Sequence, residues 1–253
     1  MTRRDYRLMP SLKIQTQDIF CLILAYVIRL FYCILYPIQP KDAYIYIKYI
    51  IQWEEQGKPI PIIEDIYYPL SLWLLKAPHH FFGMEIVKGG IILNLLLGIL
   101  IVALLMTIAR LFFKEDKIIL FVGLIAATHP MLVHFSCVFL RENTYLFFSL
   151  LTFYCLAKYC MRFDLIDLVG TGLFGSLASL CRIEGLEFII VISLVLFLFV
   201  YVKKKQVYKA IRHFIVFVLA FGGTHIVIMH FLGEEFNVLH LIKDNLNIHE
   251  FQF

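Results

Sequence analysis

Long apolar runs separated by short polar connections set the pattern of this chain. Runs near the length of a bilayer crossing, about 20 mostly apolar residues, fall at Asp18–Tyr36, Ile86–Phe113, Ile118–Phe135, Asn143–Cys160, Leu165–Cys181, Gly185–Val202 and Ile211–Leu232. The pattern predicts an all-α, polytopic transmembrane bundle of about seven spans. The fifth run is short and holds Gly170, Gly172 and Gly175, which suits close helix packing more than contact with lipid. The connection over residues 38–85 contains two Tyr- and Trp-bearing stretches, around Asp42-Ala43-Tyr44-Ile45-Tyr46 and Ser71-Leu72-Trp73-Leu74-Leu75. Both are too short to span and predict helices lying in the headgroup plane. No internal repeat or low-complexity linker divides the chain, so residues 1–253 read as a single membrane domain with a tail at 233–253.

Composition agrees with this reading. Hydrophobic residues make up 61% of the 253 and charged residues 17%, too few polar groups to cover a soluble domain of this length. The net charge of +4 does not point to a nucleic-acid partner, because the basic residues lie in short clusters between apolar runs and mark topology. With the N-terminus in the cytoplasm, the inner segments hold Arg3, Arg4, Arg7 and Lys13; Arg110, Lys114 and Lys117; Lys158 and Arg162; and Lys203, Lys204, Lys205, Lys209 and Arg212. Every short inner connection is then basic, as the positive-inside rule requires. The loop 38–85 and the tail 233–253 fall outside, and the expected location is a plasma or inner membrane. Arg3, Arg4 and Arg7 precede an apolar stretch longer than a usual signal core and without a small-residue cleavage site, which predicts a retained first span. The cysteines (Cys21, Cys33, Cys137, Cys155, Cys160, Cys181) show no CxxC or Cys/His spacing, so they predict neither a zinc site nor a disulfide framework.

The same topology places Asp42, Arg141, Glu142, Arg182 and Glu184 together on the outer side. Each has an ordinary reading alone: a solvated loop aspartate, or an interfacial cap with Glu142 favoured by a helix N-terminus. Arg29 is different. It lies inside the first span, on the order of 12 Å from its outer end, where a charge is costly unless paired, wet or snorkelling. The functional reading is an arginine in a polar lumen facing an anionic group; the ordinary one is a snorkelling side chain. His129-Pro130 reads as a helix stop, Asn94 as interhelical glue, and His225 and His230 as packing residues.

Taken in order, these features resemble a known family. A first span ending in Arg-Leu-Phe-Tyr is followed by a loop opening with Asp-Ala-Tyr-x-Tyr and containing Tyr-Tyr-Pro-Leu. The third span ends in His-Pro, Leu-Arg-Glu precedes the fourth, and Cys-Arg-Ile-Glu-Gly-Leu opens the sixth. The chain resembles the N-terminal module of the GT-C superfamily of polytopic glycosyltransferases, near the protein O-mannosyltransferases and lipid A aminoarabinose transferases. The resemblance implies transfer of a hexosyl or pentosyl group from a polyprenyl-phosphate carrier to an acceptor hydroxyl on a glycan, lipid or protein, outside the membrane and with inversion.

It also implies roles. Asp42 corresponds to the essential first-loop aspartate and Glu142 to a second acidic position. Arg182 and Arg29, then Arg141, are expected at the donor phosphate, with Glu184 orienting them and Tyr44 and Tyr68 near the acceptor or loop. A divalent cation, Mg²⁺ or Mn²⁺, is compatible with carboxylates facing a phosphate, and a partner subunit is compatible with a chain matching one module. Two other readings stay open on sequence: a non-catalytic GT-C-like subunit, and a transporter or lipid flippase. A transporter would favour charges at the bilayer midplane and paired broken helices.

Overall fold

The computed structural model describes residues 15–56, 69–204 and 206–232. Arg3, Arg4, Arg7, Lys13, Tyr68, Lys205, Glu234, Glu235, His240 and the rest of the tail 233–253 lie outside the described residues, as does the Gly57–Pro61 break in the first long connection.

Among the described residues every regular element is a helix, and there is no strand. In chain order the helices are α1 (Thr16–Leu35), α2 (Lys41–Gln56), α3 (Pro69–Phe82), α4 (Ile86–Phe112), α5 (Asp116–Thr128), α6 (Pro130–Cys137), α7 (Glu142–Arg162), α8 (Leu165–Ser179), α9 (Glu184–Lys204) and α10 (Val207–Phe231). Five of them, α1, α4, α7, α9 and α10, are long and apolar enough to cross a membrane. The two non-spanning helices expected in the first connection are α2 and α3. Large apolar side chains such as Phe31, Ile34, Ile190 and Leu219 face outward, where a bilayer rather than water suits them.

The expected third span, Ile118–Phe135, is divided into α5 and α6, which meet at 50° and together make a sixth candidate crossing. Pro130 is the cause. Without an N–H it cannot reach the Ala126 carbonyl, and its ring blocks a straight continuation. The expected fifth span is α8, only 15 residues long. Asp164 caps it, accepting from the Ile166 N–H at 3.2 Å. Ion pairs tie both of its ends to α7: Lys158 Nζ to Asp167 Oδ1 at 2.7 Å, and Arg182 Nη1 to Glu142 Oε1 at 3.1 Å. The two helices are therefore antiparallel and cover the same depth, although α8 is short.

Two halves pack side by side. In the first, α1 lies against α4, α5 and α6 around Cys21, Ala25, Val102, Met106 and Ala127. In the second, α7 to α10 enclose Tyr159, Leu168, Leu196 and Phe217. Contacts between α4 and α7 join them. Over one end of this joint, Ala43, Tyr46 and Ile50 of α2 and Leu72 and Leu75 of α3 pack on the segment Val138–Leu140 between α6 and α7. Lys76 of α3 pairs with Glu54 of α2 at 3.0 Å and lies 4.7 Å from the Trp53 ring centre, which fastens α3 to α2.

Candidate active site

Two stretches of sequence 40 residues apart meet at that end of the bundle. The turn after α8 supplies Arg182, the start of α9 supplies Glu184, and the start of α7 supplies Arg141 and Glu142. Arg182 bridges the two acids. Its Nε donates to Glu184 Oε2 at 3.0 Å and its Nη2 to Glu184 Oε1, while Nη1 donates to Glu142 Oε1 at 3.1 Å, 40 residues away in sequence. Such bidentate pairing fixes the plane of both groups. The Tyr145 ring, with its centre 5.7 Å from the Arg182 Cζ, supports the guanidinium from below. Glu142 Oε2 is buried and accepts no hydrogen bond among the described residues.

Arg141 lies over a different aromatic ring, that of Tyr46 in α2, at 5.6 Å. Tyr46 is where the charges converge. Burial, the largest cause, pushes its phenol up to about 12. Arg141 and Arg182 oppose the rise, and Glu142 and Asp42 add to it. Four charges from three stretches thus act on one hydroxyl. Asp42 is exposed in the first turn of α2, one turn before Tyr46. Tyr44 points elsewhere and is 62% exposed. The tyrosine facing the cluster is Tyr46, and the sequence shows why: Ala43, Tyr46 and Ile50 recur at helical spacing on the packed face. Tyr68 lies outside the described residues.

Arg29 requires a correction. It does not face a lumen. Its side chain is completely buried, and its donors meet oxygens of the fold: Nη1 to the carbonyls of Ala127 and Ala25 at 3.1 Å each, Nη2 to that of Ala126 at 3.4 Å, and Nε to Ser136 Oγ at 3.1 Å. Ala126 and Ala127 lie in the last turn of α5, so the guanidinium takes the place of the hydrogen bond lost at Pro130 and puts positive charge at a helix C-terminus. Gly98 of α4 makes the room. A Cβ there would stand 2.0 Å from Ser136 Oγ and 2.9 Å from Arg29 Nε.

A polar chain continues from Arg29 toward the site. Ser136 Oγ donates to the Leu132 carbonyl at 2.6 Å and accepts from Asn143 Nδ2 at 3.2 Å. Asn143 Nδ2 also donates to the Asn94 backbone carbonyl at 2.8 Å. Asn94, expected to join helices, gives its side-chain amide instead to the carbonyls of Val138 and Leu140 in the non-helical segment between α6 and α7. The sequence reading named none of Ser136, Asn143, Tyr145 or Tyr46 for a role; their signal was polar or aromatic character at helix positions that the topology brings to one end.

A divalent cation bound by protein groups alone would need several clustered ligands. Among the described residues no group of three or more His, Cys, Asp or Glu side chains is placed to hold a metal ion. Asp42, Glu142 and Glu184 do not form such a set.

Comparison with known proteins bears on what this arrangement is for. A family model, described as dolichyl-phosphate-mannose-protein mannosyltransferase, matches residues 64–229, more than half of the chain. The matched region contains Arg141, Glu142, Arg182 and Glu184 and begins after Arg29 and Asp42. Comparison with curated proteins and with solved structures gives no match.

Proposed function

Because the chain belongs to the dolichyl-phosphate-mannose-protein mannosyltransferase family, which makes it a membrane glycosyltransferase of the GT-C type, we propose that it moves a sugar from a polyprenyl-phosphate-linked donor to an acceptor hydroxyl at the bundle end where Asp42, Arg141, Glu142, Arg182 and Glu184 gather. The observation that carries this reading is the Arg182 bridge, which holds Glu142 in one orientation and leaves its second oxygen buried and unsatisfied. A buried acceptor with no donor is the kind of feature that a sugar or acceptor hydroxyl completes.

In the proposed step the Asp42 carboxylate takes the proton from the acceptor hydroxyl. The acceptor oxygen forms a bond to the anomeric carbon as the bond from that carbon to the phosphate oxygen breaks, and polyprenyl phosphate leaves with the bonding electrons. Attack from the face opposite the phosphate inverts the centre. Charge develops on the leaving phosphate, where a fixed cation is most effective. Arg141, seated on Tyr46, takes that role; Arg182, already bridged to Glu184, positions Glu142. The end carrying the cluster is the extracytoplasmic one in this reading, as the distribution of basic residues implies.

The test is transfer of labelled sugar from a synthetic polyprenyl phosphate in membranes containing the full chain. Asp42→Asn should lower the rate by about 10²–10⁴-fold, the range of general acid–base catalysis, while the protein inserts and purifies as before. Transfer undiminished in Asp42→Asn removes the aspartate from the mechanism.

A further inference from the structure

The segment Val138–Leu140 has no regular secondary structure, yet it is almost wholly buried and delivers Arg141 and Glu142 to the site. Backbone groups in such a place must find partners; the Leu140 N–H donates to the Val138 carbonyl at 3.0 Å, and two side chains supply further partners. Asn94, completely buried about two turns into α4, gives its side-chain amide to two carbonyls of the segment: Val138 at 2.7 Å and Leu140 at 2.8 Å. Its own backbone carbonyl accepts from Asn143, the residue directly after Glu142. Gln39 takes the Phe139 N–H on its Oε1 at 2.7 Å, and Gln39 stands three residues before Asp42. One turn before Asn94, Gly90 leaves a notch for the Phe139 ring; a Cβ there would lie 2.2 Å from Phe139 Cε2.

We propose that Asn94 is a positioning residue for the Arg141–Glu142 pair, holding the segment between α6 and α7 in register, with Gln39 tying the same segment to the stretch that bears Asp42. The proposal rests on the transferase reading for its effect on rate, but its structural part stands alone. An apolar or shorter side chain at position 94 takes the donor from the buried Leu140 carbonyl, leaves the Val138 carbonyl only the Leu140 N–H at 3.0 Å, and lets the segment slide. The pair would then miss its geometry while the helices on either side remain packed. The carboxyl of Asn94→Asp has at most one O–H to offer in place of the amide's two N–H donors, so this variant should fall between the asparagine and Asn94→Ala.

Hydrogen exchange read by mass spectrometry on the full chain in detergent gives the first measurement, with transfer kinetics beside it. Asn94→Ala should speed exchange of the amides over 138–141 by about tenfold, the value of one or two lost hydrogen bonds, with the other helices and the thermal midpoint little moved. In the transfer assay kcat should fall by about 10–100-fold, as misplacement near 1 Å can do, with KM for donor and acceptor held. Gln39→Ala should act in the same direction and less strongly. Unchanged exchange over 138–141 overturns the proposal. So does faster exchange spread over all helices with a matching loss of thermal stability, because Asn94 would then be a packing residue only. If the unmodified chain transfers no sugar while exchange at 138–141 still responds to Asn94→Ala, the holding of the segment is supported and the transferase reading is what fails.

Discussion

Around Arg29 the guanidinium donors meet neutral oxygens belonging to the fold, three backbone carbonyls and a serine hydroxyl. Around Arg182 they meet two carboxylates, with tyrosine rings beside the pair and a buried acceptor left over. Both side chains are arginines at the margin or interior of a membrane bundle, and both are expensive to place there. The first is placed to repair a helix broken by Pro130. The second is placed to orient acids that have capacity remaining. Where a guanidinium's hydrogens go, more than how deep it lies, separates a structural arginine from one at a site.

The strongest way to break this contrast is Glu142→Gln, which removes one carboxylate from Arg182 while keeping its shape. Transfer should drop by about 10²-fold with the thermal midpoint almost unchanged; a large loss of stability with the rate intact would make the Arg182 cluster a second structural brace. The interior should behave in the reverse manner. Gly98→Ala forces a methyl against Ser136 and Arg29 and should cost about 1–3 kcal/mol of stability, as overpacking does, with kcat of the folded protein retained. Denaturant unfolding in detergent measures the first quantity and the transfer assay the second.

A smaller effect comes from Tyr46. Its folded-state value, up to about 12, lies above the ordinary tyrosine value near 10. Between these the unfolded chain releases a proton that the folded chain keeps. Stability fully present below pH 10 is therefore lost as the pH rises toward 12. Tyr46→Phe keeps the ring beneath Arg141 and lacks that titration, so its midpoint should fall less steeply over the same window. Parallel slopes for the two proteins would mean that the phenol is not in the buried, charged setting described.

Much of this was legible in the sequence, and the exceptions have definite causes. Apolar runs near crossing length marked α1, α4, α7, α9 and α10, and the tyrosine-rich connection marked α2 and α3, because bilayer thickness and helix rise leave few alternatives. The clustering of Arg141, Glu142, Arg182 and Glu184 followed from counting crossings, although they are 40 residues apart in sequence. Depth was legible for Arg29 but neighbours were not: nothing in the local sequence says that α1 passes beside the end of α5. His129-Pro130 signalled a stop, while continuation through α6 depended on packing against α1 and α4. Tyr44 and Tyr46 flank the same isoleucine, and only the buried stripe of Ala43, Tyr46 and Ile50 shows which of them faces the arginine. Val138–Leu140, apolar and next to a helix, gave no sign that its backbone is held by Asn94 and Gln39.

The short helix α8 has a consequence for the lipid around the protein. Its 15 residues rise roughly 22 Å, against a hydrocarbon layer of about 30 Å, and charged groups close both of its ends. Ile166 and Val169 expose one side of it outward. Lipid tails beside that side meet too little apolar length and must shorten or tilt, so the membrane is pinched there next to the Arg182 turn. Hydrophobic mismatch of this kind draws the headgroup plane inward on one flank of the protein only, and it makes the chain a better guest of thin bilayers than of thick ones.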